Sequence, residues 1–394
     1  MKSHKQSVLL WVFMPLTLGA LSGCGGGTSS TPDVSTNSLS NNSAALVQID
    51  ATAGGLGISP SDPVNKYTYF DLDTGQVLNL SDADATVSRA WDVAFKRTGI
   101  KLNGGVSGPG AVQGAVADEQ DDFYDAVTGD PNASVFLNAS ADSELAAFDA
   151  VTSVTGLTFA EDRNIPYIQG DGSSGGWWLY SGPPTYSVSA NSNQWWLVKS
   201  AAADSYAKFN VTNIVQASRD ITLDLFIQGT ADSAFSTTVT TWTAAIGAAG
   251  GSKCFDIDVA TEVDCVTSAA DWDVKVEVPA DGRVWNIWTN GGVSGSGSGG
   301  AFGPFDDAAI AGYVSGTASP GGTDISRMYG QDSAGGVFKD NTWYAYSLQG
   351  NNKLWPNYRV YAIDTGSLQY KLQILSYYND AGTSGWIKFR YEEL

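Results

Sequence analysis

The sequence predicts a mainly β protein, built as two tandem, related β-rich domains with few short helices behind a cleaved export leader. Three observations predict it. Apolar and polar residues alternate at period two along several segments, the signature of half-buried strands. Five sequence blocks recur in one order in the two halves of the chain. Helical periodicity is confined to Ser143 to Val151 and Pro304 to Tyr313.

The first 23 residues read as a lipoprotein signal peptide. Lys2 and Lys5 form a positive n-region, Val8 to Leu18 an apolar core, and Ala20-Leu21-Ser22-Gly23 bring small residues up to Cys24. The apolar run is shorter than the roughly 20 residues a membrane span needs. Cys24 is therefore the expected lipidation site. Residues 24 to 63 are assigned to the lipidated cysteine and a flexible tether, since 25 to 43 are dominated by Gly, Ser, Thr and Asn. Each buried acyl methylene contributes about 0.8 kcal/mol, so several chains hold the protein firmly. Gly25 stands where an aspartate would resemble an inner-membrane retention signal. The outer membrane is the expected location, on either face.

Charge and missing residue types exclude several functions. Two of the 21 basic residues, Lys2 and Lys5, leave with the leader and no acid does, so the formal charge moves from −20 to −22. Such a surface repels nucleic acid. The one histidine, His4, also leaves. The mature chain has no histidine for a catalytic triad, a general base or a metal site, and no nucleophile motif appears. No enzyme activity is expected.

The hexapeptide Asn-Gly-Gly-Val-Ser-Gly occurs at Asn103 to Gly108 and at Asn290 to Gly295. Trp91-Asp92-Val93 answers Trp272-Asp273-Val274, and Phe70-Asp71-Leu72-Asp73 aligns with Phe255-Asp256-Ile257-Asp258. Downstream, Trp177 to Ser181 answers Trp343 to Ser347, and Lys208 to Val211 answers Lys371 to Ile374. The reading is an internal duplication, with copy one at 64–229, a linker at 230–251 and copy two at 252–394.

Strands are expected where Trp91, Val93 and Phe95 alternate with polar or small residues, along Trp272 to Val278, along Ile221 to Ile227 and along Ile387 to Tyr391. Thr74-Gly75 suits a hairpin turn between Tyr67 to Asp71 and Gln76 to Leu80. A two-residue turn there sets Tyr69 opposite Leu80. The aligned positions in copy two are Cys254 and Cys265, and directly opposed α-carbons lie within disulfide reach. A Cys254–Cys265 bridge is predicted. It would contribute roughly 3 kcal/mol and offset the poorer Val259-Ala260 turn.

These blocks resemble the HmuY family of haem-binding lipoproteins. The resemblance rests on Tyr69 to Leu72 with Thr74-Gly75, Trp91 to Arg97, Asn103-Gly104-Gly105 with Ser107-Gly108, and the C-terminal run Val360 to Ile363, Tyr370 to Ile374, Ser376 to Tyr378 and Ile387 to Phe389. It implies an exported β-rich domain that holds haem in a cleft for iron acquisition, without turnover. The best-known members grip the iron with two histidines, which this mature chain lacks. Met328 is then the candidate axial ligand, with Tyr329 beside it; the bland alternative is that Met328 fills a gap in the core. Arg97, Lys101, Arg327 and Lys353 are candidate propionate partners.

The rival is a carbohydrate-binding or adhesive surface lipoprotein, in which exposed tryptophans stack on sugar rings. Of 13 tryptophans only Trp11 is lost with the leader. Adjacent strand residues face opposite ways, so one of each pair, Trp177-Trp178 and Trp195-Trp196, is expected to point outward, and Trp285 with Trp288 is a further grouping. Calcium is not expected. Asp71-x-Asp73, Asp256-x-Asp258 and Asp118 to Asp122 lack the spacing of a calcium loop, and Gly104-Gly105 with Gly108 lacks the lysine of a phosphate loop.

Overall fold

The structure, a computed structural model, describes residues 44–54, 64–126, 128–170 and 172–394. The leader, Cys24 and the tether as far as residue 43 lie outside the described residues. Strands dominate, with short helices at Asp82–Ala85, Ala133–Asn138, Leu145–Ala150, Asp307–Ala311 and Val337–Asp340. The third and fourth fall inside the two stretches expected to be helical.

Twelve strands make the first run: β1 (Ala45–Asp50), β2 (Thr68–Asp71), β3 (Gln76–Leu78), β4 (Val93–Lys96), β5 (Gly99–Leu102), β6 (Gln113–Asp118), β7 (Arg163–Ile165), β8 (Trp178–Ser181), β9 (Ser187–Ala190), β10 (Trp195–Lys199), β11 (Tyr206–Val215) and β12 (Asp220–Gln228). Twelve more repeat them: β13 (Thr240–Ala245), β14 (Gly251–Asp256), β15 (Thr261–Val263), β16 (Val274–Val278), β17 (Asn286–Thr289), β18 (Gly300–Phe305), β19 (Ser333–Gly335), β20 (Tyr344–Tyr346), β21 (Leu354–Pro356), β22 (Val360–Asp364), β23 (Gln369–Tyr378) and β24 (Ser384–Glu393).

The pairing follows the same rule in both runs. One sheet has the order β1-β24-β23-β22-β6 and its counterpart β13-β12-β11-β10-β18. Smaller sheets β3-β2-β4-β5 and β8-β9 correspond to β15-β14-β16-β17 and β20-β21, and β7 pairs with its own counterpart β19. Shifting every label by twelve converts each sheet into its counterpart. The tether assigned to 24–63 and the linker assigned to 230–251 are therefore corrected: each contains a strand, β1 and β13. Val47 and Ile49 alternate with exposed Leu46 and Asp50, a pattern a short strand hides among small polar neighbours.

The halves exchange their last three strands. The β2–β5 sheet of the first run packs Phe70, Val93, Phe95 and Leu102 against Tyr361, Leu372, Ile387 and Phe389 of the second. The β14–β17 sheet packs Phe255, Val274, Val276 and Ile287 against Trp196, Phe209, Leu223 and Leu225 of the first. Phe389 lies 5.5 Å from Phe70 and 5.3 Å from Phe95, ring centre to ring centre. Residues 64–229 and 252–394 therefore do not each bury their apolar stripes within themselves. Period-two alternation marks the apolar face of a strand but says nothing about which surface covers it.

The hairpin register also differs from expectation. Asp71 pairs with Gln76 and Tyr69 with Leu78, so the turn has four residues, Leu72 to Gly75. Cys254 pairs with Val263, and Cys265 follows two residues later. The disulfide forms from that diagonal position, with α-carbons 5.3 Å apart. Gly75 takes φ +68°, and its counterpart Ala260 is held at φ +52°, in the left-handed region that favours glycine.

Candidate functional site

The repeated Asn-Gly-Gly loops are structural joints. The Asn103 amide donates to Trp91 O at 2.7 Å and Ser88 O at 3.1 Å, and its oxygen accepts from Gly110 N at 3.1 Å. Asn290 makes the matching bonds to Trp272 O, Ala269 O and Gly297 N. A side chain on Gly104 would collide with the Val112 carbonyl, and one on Gly291 with the Gly299 carbonyl. These loops need glycine for close backbone approach, not for a phosphate.

Met328 and Tyr329 point opposite ways. Met328 is 50% exposed, whereas Tyr329 is 8% exposed. The Tyr329 hydroxyl donates to Gly316 O at 2.6 Å, and its ring packs beside Tyr206 and Phe302. Burial pushes its phenol far above the ordinary value. Tyr329 is thus corrected as an iron ligand: its oxygen is enclosed and committed to a carbonyl. Met328 remains accessible in the same segment.

The tryptophans offer no sugar platform, because none of those in the described residues is exposed. Trp177 and Trp178 are both buried, against the expectation that one would face outward, and so are Trp285 and Trp288. The Trp195 indole donates to Asp307 at 2.7 Å, and Trp196 stacks on Phe209. Part of the outer face of the β10–β12 sheet is covered by the segment around Phe302, Ile310, Ile325 and Tyr329, while Thr212, Asn213 and Val215 at the end of β11 are exposed.

Two of the four expected propionate partners are engaged elsewhere. Lys101 sits 4.4 Å from the centre of the Tyr67 ring and 5.2 Å from that of Trp91, and burial lowers its pKa. Arg97 lies over Tyr377. Arg327 and Lys353 are exposed. In the second run the corresponding pocket holds Lys275 between Trp272 and Trp288, beside the disulfide.

The carboxylates of Asp256, Asp258 and Asp273 converge, with oxygens within 4.8 Å of one another. They already serve the backbone. Asp273 accepts from Ala201 N at 2.6 Å and Ile257 N at 2.7 Å, and Asp256 accepts from Asp258 N and Val259 N. In the first run Asp73 instead accepts hydroxyls from Thr365, Ser367 and Tyr370.

Where the two runs meet, a cleft of about 250 Å³ opens between β5, β19 and the Val337–Asp340 helix, lined among others by Tyr67, Ile100, Phe338, Lys339, Trp343 and Tyr344. Trp343 is anchored by its indole N–H to Thr98 O at 3.1 Å. Burial, with Asp82 and Asp162 nearby, pushes the Tyr67 phenol up to about 12, so it is neutral near pH 7. Lys96 lies 4.5 Å from the Tyr67 ring centre. The arrangement suits the edge of a flat apolar ring with an acidic substituent near Lys339. Local sequence did not reveal this cleft as a site, because its walls come from segments far apart in the chain.

No curated protein matches the chain. Solved structures do. A lipoprotein from Bacteroides fragilis is 12% identical, with 90% of this chain and 91% of that one covered at a TM-score of 0.31. A HmuY-like heme binding protein from Bacteroides vulgatus is 10% identical, with coverage of 88% and 90% and a TM-score of 0.29. The apo form of a HmuY analog from Tannerella forsythia is 10% identical, with coverage of 91% and 98% and a TM-score of 0.30. The HmuY protein family matches residues 64–225, so the stretch from before β2 into β12 is HmuY-like.

Proposed function

We propose that this chain is a lipid-anchored, haem-binding protein of the outer membrane that captures haem for iron acquisition and does not turn it over. The observation that carries this reading is the HmuY family match over residues 64–225. The expected leader over residues 1–23, followed by Cys24, supports the anchor, and no helix among the described residues is long and apolar enough to cross a membrane. The recurrence of twelve strands in one order supports an internal duplication as the origin of the two runs.

The residues present do not fit a two-histidine grip, and Tyr329 is enclosed. The proposed binding uses apolar contact in the Tyr67–Trp343 cleft; Met328, accessible but not part of that lining, is a separate candidate ligand for haem bound outside the cleft. At about 250 Å³ the cleft is smaller than the roughly 300–1,000 Å³ of small-molecule sites, so it would take the edge of the ring and leave the rest in solvent. No tryptophan among the described residues is exposed, which disfavours the carbohydrate reading.

The test is a haem titration of the mature protein followed by Soret absorbance and tryptophan fluorescence. A saturable Soret shift with quenching is expected at micromolar haem. No change in either signal would overturn the reading. Tyr344→Ala should weaken binding severalfold if the cleft holds the ring, and Met328→Ala should alter the spectrum only if sulfur binds iron.

A further inference from the structure

A second cleft, of about 480 Å³, lies on the outer face of the β1-β24-β23 sheet, under the segment that leads into the Leu145–Ala150 helix. Its walls follow from strand alternation. Ile387, Phe389 and Tyr391 face the core, so Lys388, Arg390 and Glu392 face the cleft. Leu46 stands opposite Arg390 on β1. Leu46, Leu145 and Leu375 supply aliphatic surface, and Leu46 and Leu145 are 43% and 40% exposed.

Arg390 is the unusual member. It is 7% exposed, yet no carboxylate among the described residues lies within ion-pair distance of it. Its Nε–H donates to the Gln373 side-chain oxygen at 2.7 Å, an Nη2–H donates to that same oxygen, and an Nη1–H donates to Ala141 O at 3.0 Å. A guanidinium has five N–H donors, so two find no acceptor among the described residues. The neighbouring cation Lys371 differs. Its ammonium is bound to Phe148 O, Val151 O and Glu392. A buried cation is normally paired, because leaving it unpaired costs several kcal/mol.

We propose that this cleft binds a small apolar monocarboxylate. The carboxylate takes the two spare Arg390 donors, with Lys388 beside it, and the hydrocarbon part lies on Leu46, Leu145 and Leu375. Guanidinium and carboxylate match in shape and form two parallel charge-assisted bonds. A volume of about 480 Å³ falls within the usual range for small-molecule sites. The rim carries the exposed acids Asp142 and Asp149, and Glu392 is held by Lys371. This rim disfavours a second negative charge on the ligand, which separates the site from one built for a dicarboxylate such as haem.

The test is isothermal titration of the full mature protein with decanoate, decanol and decyltrimethylammonium. Decanoate should bind at least tenfold more tightly than either of the others. Arg390→Met should weaken decanoate at least tenfold. Because Arg390 also holds Gln373 and Ala141, the exposed Leu46→Ser variant, which adds no charge opposite Arg390, is the control that leaves that network in place, and it should weaken decanoate severalfold. Equal affinity for decanoate and decanol, no heat at millimolar decanoate, or unchanged binding by Leu46→Ser would overturn the proposal. Displacement of decanoate by stoichiometric haem would place the porphyrin here and overturn the monocarboxylate assignment.

Discussion

Asp92 and Asp273 occupy matching buried positions, and each accepts the backbone N–H at the start of its hairpin turn at 2.7 Å, Leu72 for Asp92 and Ile257 for Asp273. Neither has a cationic partner among the described residues. Burial raises both from 3.8 to about 7, with nearby acids adding to the rise: Asp73 and Asp71 for Asp92, Asp258 and Asp256 for Asp273. Both carboxyls hold a proton in the folded state at pH values where the unfolded chain has lost it.

The sign of the pH dependence follows. A folded pKa above the unfolded one gives stability that is fully present below about pH 4 and is lost as pH rises through about 7. Each such group contributes a slope of about −1.4 kcal/mol per pH unit within that window. Asp162 and Asp332 are raised by burial and add in the same direction. The melting temperature should fall between pH 5 and pH 8, and Asp92→Asn with Asp273→Asn should flatten the curve. A melting temperature that climbs steadily over that range would contradict the assignment.

The turns of the two hairpins differ in one residue that matters. Gly75 sits at φ +68° without penalty, while Ala260 sits at φ +52°, where a Cβ costs about 1–2 kcal/mol. Ala260→Gly should stabilise the protein by about 1 kcal/mol, and Gly75→Ala should destabilise it by a similar amount. Urea denaturation of both variants would show opposite shifts in midpoint.

The Cys254–Cys265 bridge closes a hairpin whose strand β15 pairs over three residues. Replacing both cysteines with serine should lower stability by roughly 3 kcal/mol. Thiol labelling of the denatured, unreduced protein checks that the bridge is present. Modification of both residues would rule it out.

Exchange of the last three strands makes the halves interdependent. Residues 44–236 expressed alone would expose the Phe70 and Phe95 face that Phe389 covers. That fragment should aggregate, or pair with a second copy of itself that offers the β10–β12 sheet. Co-expression with residues 237–394 should restore a soluble complex on size exclusion. A soluble monomer of 44–236 with a cooperative melt would refute the exchange.

In the intact chain Phe389→Ala removes a ring that touches Phe70, Phe95 and Tyr391. The loss should be about 3–5 kcal/mol, measured by denaturant titration.

Much of the site reading turned on contacts that sequence does not carry. Met328 and Tyr329 are adjacent, and only the docking of Ile325 and Tyr329 on the aromatic cluster separates an exposed sulfur from an enclosed hydroxyl. Trp177 and Trp178 should face opposite sides of a strand, yet both are buried: Trp177 lies just before β8, whose far end, Tyr180 and Ser181, is exposed. The spare donors of Arg390 became visible only once Gln373 and Ala141 were seen to take the others.

By itself the sequence determined the β class, the order of the repeated blocks, the glycines of the Asn103 and Asn290 loops, the two cysteines able to meet, and a chain whose one histidine is His4. Each is local: alternation, steric need at one backbone position, or residue type. The tertiary structure alone decided that β22–β24 cover the first hairpin sheet and β10–β12 the second, and which side chains line the clefts. An apolar stripe is satisfied equally by any complementary surface, and which surface it meets is settled by packing across the whole chain.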